Sequence, residues 1–517
     1  MAAIAAGLTL LVAHPPFAWW PTTALVAPAL VVALRRAATH TRGWVRAEVG
    51  AFTLGTIAGL VAYGPMISWL IAPAGPVGWG LLAVIQALWL GILAAMVRPW
   101  IRSPWLPLVG ALTWVGMDAW RALVPLSGFG WGTIGYAHAA DPFVLPVART
   151  LGANGITLLV VAASLGALRL VDARPGGPER RRGVLAGDRP SRSAAIAVAV
   201  PLALVVLLRW VPVPATEGTL DVLVVQPNDI RHWIAPAPDP PLAITTNARD
   251  LTLAAVARDG RPDLTVWPES SIDRDPGTTR GAVLGELAQQ AADAAGTLIA
   301  GASLEGPAPA RERLIVALRL GPEGEVDRYV KRRLVPFGEY VPARPVLGRL
   351  PILAQIPRDA VPGSGPRSMG IAPGVRAAIA ICFETLYPDI VRSNLLAGPE
   401  PAGVVLAITN DASFRDGAEP AQHLAQSRLR AVETGRWVVH GALSGSSAFV
   451  DPDGRVHDPT PLFTATTSRR EVPLATGRTP FLVTGDVVAA LGRGGLLAFG
   501  LAALLGVRRR ARSGATG

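Results

Sequence analysis

Three short segments place a reactive side chain at or just beyond an apolar run. In Thr265-Val-Trp-Pro-Glu-Ser270, Glu269 follows an apolar strand and a Trp-Pro. Such a partly desolvated carboxyl is raised toward the pKa of a usable base. Tyr329-Val-Lys-Arg-Arg-Leu-Val-Pro-Phe-Gly-Glu-Tyr340 carries Lys331 and Glu339. Ile379-Ala-Ile-Cys-Phe-Glu384 sets Cys382 in a strand-to-turn context. The thiolate is the reactive form of cysteine, and a neighbouring base or ammonium generates it. Taken singly, Glu269 could cap a helix, Lys331 could be a surface charge and Cys382 could be core. A base, an ammonium and a thiol at three strand ends could perform nucleophilic acyl chemistry.

Composition sharpens that reading. Forty-eight residues are Lys or Arg, and Lys331 is the one lysine among them. A chain this rich in arginine keeps a lysine where a compact ammonium that can lose its proton is needed. Cys382 is the one cysteine, so it forms no internal disulfide. Its uses are packing or reactivity.

The elements that position these residues lie between Thr219 and about Ala475. Leu220–Gln226, Leu264–Glu269, Thr297–Leu304, Leu314–Leu320, Ala377–Glu384, Val404–Asp411 and Trp437–Leu443 read as strands. Thr279–Ala295 and Pro420–Thr434 read as helices between them, which predicts an α/β domain with a largely buried sheet. Asp451-Pro-Asp-Gly454 predicts a turn before a closing strand. The Pro- and Gly-rich stretches Ala235–Pro241 and Ala360–Gly374 read as loops. His423 and His440 are not spaced as a metal-ligand cluster.

The rest of the chain is apolar. Half of all residues are hydrophobic, and the mean hydropathy is +0.38. A membrane span needs about 20 mostly apolar residues. Trp20–Leu34, Val49–Ile71, Val77–Val97, Trp105–Leu123, Val147–Leu170, Ala194–Val211 and Val487–Val507 qualify or nearly so, with Ala2–Ala13 as a short first helix. The predicted organisation is a transmembrane domain over 1–211, a catalytic domain over 219–475, a last span over 486–508 and a tail over 509–517. Arginine placement orients the chain. With eight spans and an inside N-terminus, the inside loops hold Arg35, Arg36, Arg42 and Arg46, then Arg98 and Arg102. The Ala173–Ser193 loop holds six more, and Arg508, Arg509, Arg510 and Arg512 follow the last span. The outside loops near 14–19 and 72–78 hold none. Both termini are thus expected in the cytoplasm and residues 212–485 outside it. The net charge of +11 is mostly topological, which argues against nucleic-acid binding.

Glu, Lys and Cys in this order is the pattern of nitrilase-type carbon–nitrogen hydrolases. Trp267-Pro-Glu269, Lys331-x-x-Leu-Val-Pro-Phe-Gly-Glu-Tyr340, and Ile381-Cys-Phe-Glu384 followed by Asn410-Asp411 closely resemble apolipoprotein N-acyltransferases. The likeness extends to Pro15-Pro-Phe-Ala-Trp-Trp20, Gln226-Pro-Asn228, Gln422-His423, Arg428, Arg430-Ala-Val-Glu433 and Thr484-Gly-Asp486. The resemblance implies a multi-pass α-helical membrane domain of about eight spans joined to an extracytoplasmic nitrilase-like αββα sandwich. It implies a bacterial plasma-membrane enzyme with no cofactor and no metal. A membrane phospholipid would give its acyl chain to Cys382. The α-amine of an S-diacylglyceryl-cysteine on an apolipoprotein would take it. Glu269 would be the general base, Lys331 the charge-stabilising ammonium and Cys382 the nucleophile. Glu339, Phe383 and Glu384 would support the site, with the Phe383 N–H as an oxyanion donor. Trp233, Asn410, Ser413 and Phe414 are candidate substrate contacts.

The chain departs from that pattern in places. Arg333 stands where family members usually carry His, and Asn410-Asp-Ala-Ser-Phe-Arg415 replaces Asn-Asp-(Ala/Ser)-Trp-Phe-Gly. Ala442-Leu-Ser-Gly-Ser446 replaces an Asn/Thr-Gly segment, and Phe383 a frequent Tyr. Two other readings share the residues. One is a membrane-tethered amidase for a small extracytoplasmic amide, which has no need of so many spans. The other is a non-catalytic scaffold partnering a polyprenol-sugar synthase, motivated by Ser413 and Arg415.

Overall fold

The computed structural model describes residues 1–38, 44–173, 192–229 and 238–514. Trp233, Arg42, residues 235–237 and residues 174–191 of the basic loop lie outside them. The chain divides into two compact units, Met1–Ile71 with Gly75–Val211 and Asp486–Gly517, and Ala72–Ala74 with Pro212–Gly485.

The first unit is helical: α1 Ala2–Ala13, α2 Thr23–Ala38, α3 Trp44–Met66, α4 Ile71–Val97, α5 Leu106–Arg121, α6 Ala148–Asp172, α7 Arg192–Leu208 and a C-terminal helix Val487–Gly514. Among the described residues, three stretches are long and apolar enough to cross a membrane: Val45–Met66, Ser68–Trp100 and Leu145–Asp172. α1, α7 and Val487–Ala502 are shorter apolar helices. The Trp105–Leu123 stretch folds as the 16-residue α5, which rises only about 24 Å. It also carries two charges. Arg121, fully buried, donates to Asp118 Oδ1 at 2.9 Å, Gln86 Oε1 at 2.9 Å and the Trp131 carbonyl at 2.7 Å. Neutralising partners of this kind are what make a charge tolerable in an apolar bundle. Small residues let helices close up: a Cβ on Gly116 of α5 would lie 2.3 Å from the Gly492 carbonyl. Polar contacts gather several helix ends. Arg35 at the end of α2 pairs with Asp172 at the end of α6 (2.6 Å), and Arg98 just past α4 with Glu48 in the first turns of α3 (2.6 Å).

The second unit has thirteen strands among its described residues: β1 Thr216–Gln226, β2 Leu264–Ile272, β3 Leu298–Glu305, β4 Glu312–Gly321, β5 Gly324–Val330, β6 Asp359–Ala360, β7 Ser368–Ala372, β8 Val375–Ile381, β9 Val404–Thr409, β10 Val438–Ala442, β11 Ala448–Val450, β12 Val456–His457 and β13 Thr466–Ala475. One sheet runs β13-β1-β2-β3-β4-β5 with β6 on β4; the other runs β12-β11-β10-β9-β8-β7. The period-two alternation of strands sorts their side chains into layers. Leu220, Val222 and Val224 of β1 join Ile379, Ile381, Leu406, Ile408 and Val439 of the other sheet in one core. Leu223 and Val225 face the opposite way, onto helices α8 Pro240–Asp259 and α9 Ala282–Ala295. Ala378, Ala380, Val405 and Ala407 pack against α10 Pro388–Leu395 and α11 Glu419–Thr434. The result is a four-layer αββα sandwich. Strands buried on both faces read as continuous apolar runs, which is why the central ones are visible in sequence.

The edges are different. The Ala360–Gly374 stretch, expected to be a loop, contains β7. β5 and β13 were also not anticipated. All three lie at sheet edges, where polar residues and proline are tolerated. β13 carries Arg469, Arg470, Glu471 and Pro473.

Candidate active site

Three strand ends converge. Glu269 sits in β2 within the break in the β2–β3 register that falls between Trp267 and Ile272. Lys331 directly follows β5, and Cys382 directly follows β8. Ser270 and Cys382 both take positive φ, 63° and 49°. Non-glycine residues held there are strained, and such strain clusters at functional sites. Here it swings the Cys382 side chain out of the strand direction.

Lys331 is completely buried. Its Nζ lies 3.0 Å from Glu269 Oε1 and 2.5 Å from Glu339 Oε1. Its backbone is fixed on both sides, with its N–H donating to Ile315 O and its carbonyl accepting from Gly363 N–H. The Cys382 thiol feels both charges, Glu269 pushing its pKa up and Lys331 pulling it down. Glu269, Lys331, Glu339 and Cys382 therefore form one connected cluster.

Burial sets the electrostatics, and the neighbours then decide it. Burial pushes the Glu269 carboxyl up, Lys331 pulls it down, Glu339 pushes it up again, and the balance is raised. Burial alone would discharge Lys331, but Glu269 and Glu339 outweigh it and hold the ammonium charged well beyond its ordinary range. Cys382 is pushed up by burial and then by Glu269, so the resting thiol keeps its proton. A protonated thiol near a carboxyl and a fixed ammonium has the neighbours it needs to ionise during attack.

Glu384 occupies a different place. Its carboxylate accepts from the Tyr329 hydroxyl at 3.0 Å and from three backbone N–H groups: Arg332 at 2.7 Å, Arg333 at 3.1 Å and Ile381 at 2.9 Å. It thus ties the segment after β5 to the turn after β8. Those are the segments that carry Lys331 and Cys382. Phe383 stands in the turn directly after Cys382, its ring edge-on to Tyr387.

Asn410, Ser413 and Phe414 follow β9, which pairs in parallel with β8. They therefore lie at the same sheet end as Cys382. The Asn410 side chain accepts from the Ala412 N–H at 3.1 Å. Arg333 lies 3.8 Å over the Tyr387 ring. A further group was not anticipated. Asp411, Glu419 and His423 bring ligand-type atoms within 4.8 Å of one another, all buried. Glu419 and His423 are four apart on α11, hence on one face.

The catalytic unit is of the carbon–nitrogen hydrolase class: the family model described as "Carbon-nitrogen hydrolase" matches residues 243–479. A second, "Apolipoprotein N-acyltransferase N-terminal domain", matches residues 6–166. An apolipoprotein N-acyltransferase of Azotobacter vinelandii is 30% identical over 507 residues, covering 93% of this chain and 90% of that protein. One from Pseudomonas paraeruginosa is 29% identical over 93% and 91% of the two chains. A solved amidase from Nesterenkonia sp. AN1 is 18% identical, with a TM-score of 0.38 over 53% of this chain and 97% of its own. The chain belongs to the apolipoprotein N-acyltransferase family, and it is an acyltransferase.

Proposed function

We propose that this protein acylates lipoproteins at their N-terminus by way of an acyl-thioester on Cys382. The observation that carries the reading is the buried Lys331 held between Glu269 and Glu339, with the Cys382 thiol within the electrostatic reach of Glu269 and Lys331. In the first half-reaction, Cys382 Sγ attacks a phospholipid ester carbonyl while Glu269 takes the thiol proton. The Lys331 ammonium and the Phe383 N–H receive the oxyanion. Collapse breaks the ester C–O bond, and Glu269 returns its proton to the leaving lysophospholipid oxygen. In the second half, the α-amine of the diacylglyceryl-cysteine attacks the thioester and Glu269 takes its proton. The C–S bond breaks, and the thiol is restored beside the new amide. Glu339 holds the ammonium in place, and Glu384 holds the two segments in register. Asn410, Ser413, Phe414 and Trp233 are the substrate contacts of this reading.

The helical unit carries the enzyme in the membrane where both substrates reside. We place both termini in the cytoplasm and residues 219–475 outside it, with about eight crossings. Arginine placement supports this, and so do the Arg35–Asp172 and Arg98–Glu48 pairs, which gather the ends bearing the basic loops. The test of the function is steady-state kinetics with phospholipid vesicles and a diacylglyceryl lipopeptide. Parallel double-reciprocal lines are expected. Intersecting lines, or hydrolysis of small amides without lipopeptide acylation, would contradict the reading.

Two more expectations arise here. The base must be ionised to act, and burial raises Glu269. Activity is therefore expected to fall, as pH drops, at a pH above the ordinary carboxylate range. A kcat/KM profile checks this, and a limb near the pKa of a free glutamate would contradict it. The second concerns Gly301 on β3. A Cβ there would lie 2.4 Å from the Glu269 Cα. Gly301→Val is expected to shift the base and cost on the order of 100-fold in kcat. The assay is run on enzyme whose folding is checked by thermal unfolding.

A further inference from the structure

His423, on α11, reaches the main chain of Cys382. Its Nε2 is 3.1 Å from the Cys382 carbonyl oxygen. Its Nδ1 is 3.3 Å from Glu419 Oε1, 3.4 Å from Asp411 Oδ1 and 3.2 Å from Thr409 Oγ1. A carbonyl oxygen only accepts, so Nε2 carries a hydrogen. An ionised carboxylate also only accepts, so Nδ1 carries one too. The Thr409 hydroxyl is directed at Asp411 Oδ1, 2.7 Å away. His440 on β10 is a further ionisable neighbour, its ring edge-on at 5.4 Å and its Nδ1 bonded to the Ser427 hydroxyl. All of these groups are buried. The residue whose carbonyl is gripped is the one with φ 49°.

We infer that His423 is a positioning residue for the nucleophile: its imidazolium, seated between two carboxylates and the Cys382 carbonyl, holds Cys382 in the left-handed backbone from which its thiol meets Glu269. The inference rests on the reading of Cys382 as nucleophile. Left-handed backbone is unfavourable for a residue with a side chain, and a charge-assisted hydrogen bond to its own carbonyl offsets that cost. The electrostatics agree. Burial opposes the charge on His423, but Asp411 and Glu419 push the ring up to about 10. Burial and the charge of His423 push His440 down to about 3, so it stays neutral. Burial and Asp411 raise Glu419 to about 7. The ring therefore stays protonated until the pH rises past its own raised value, and removing the Glu419 charge brings that point down.

The test uses the full-length enzyme in detergent with phosphatidylethanolamine vesicles. It follows the rate of acyl-adduct formation by intact mass in His423→Ala, His423→Gln, Glu419→Gln and Cys382→Ala. His423→Ala is expected to slow acylation about 100-fold with the KM for phospholipid little changed. His423→Gln, whose amide N–H can still reach the carbonyl, is expected to recover about 10-fold of that loss. Glu419→Gln is expected to move the alkaline fall in rate down by about one pH unit or more. Wild-type acylation in His423→Ala, with Cys382→Ala inert, would overturn the inference and leave the nucleophile intact. An adduct in Cys382→Ala would instead remove the nucleophile reading itself. If His423→Ala does not fold, the other two decide: wild-type rates in His423→Gln with an unshifted limb in Glu419→Gln overturn the inference. So does a stoichiometric metal ion in the purified enzyme that is lost in Glu419→Gln, because the ring would then be a ligand.

Discussion

Cys382→Ala is expected to abolish lipopeptide acylation, a loss on the order of 10⁵-fold or more in kcat, because without the thiol there is no covalent route. Little else should change. Cys382 is partly exposed, and the strained turn is built by its backbone and by Glu384, not by sulfur. The variant should keep its thermal transition and still associate with phospholipid. This pairing of a dead enzyme with an intact fold separates a nucleophile from a packed core cysteine. Core truncations cost stability first. Residual turnover within about 10-fold of wild type would remove Cys382 from the mechanism.

The second large effect is at Lys331. Both Lys331→Ala and Lys331→Arg are expected to lose on the order of 1000-fold in kcat, the scale of a lost oxyanion donor. They should differ in stability. Alanine leaves the buried Glu269 and the partly buried Glu339 without the ammonium between them. Breaking a buried pair in this way costs about 3–5 kcal/mol. Arginine keeps the charge but must fit a larger planar fork into a fully buried socket shaped for an ammonium. Measuring kcat and the thermal midpoint for both variants separates charge from geometry. Lys331→Arg with more than about a tenth of wild-type activity would mean that charge alone suffices.

The central strands of the sandwich were legible because burial on both faces leaves long apolar runs. Val404–Thr409 and Leu264–Ile272 are examples. Edge strands were not. The Ser368–Ala372 and Thr466–Ala475 strands bond on one side only and carry the polar residues that sheet edges tolerate. At the site, residue type was informative: a lone lysine and a lone cysteine in an arginine-rich chain stand out. What stayed hidden was placement. Glu384 looked like another acid near the reaction, yet its hydrogen bonds go to Tyr329 and to backbone N–H groups. No periodicity encodes that brace, since Tyr329, Arg332 and Arg333 lie more than 50 residues away in sequence. His423 was visible only as part of Gln422-His423, because its partner is a main-chain carbonyl that any residue could supply. In the helical unit, hydropathy marked the apolar stretches. It did not show that the Trp105–Leu123 run closes early around the buried Asp118–Arg121 pair.

The most direct measurement of the central claim is the intact mass of the purified enzyme after incubation with phospholipid alone. The expected result is a gain of one fatty-acyl mass that hydroxylamine removes, that lipopeptide discharges, and that Cys382→Ala never acquires. An enzyme that stays at its unmodified mass while Cys382 remains open to alkylation would contradict the acyl-thioester and the two-step transfer built on it.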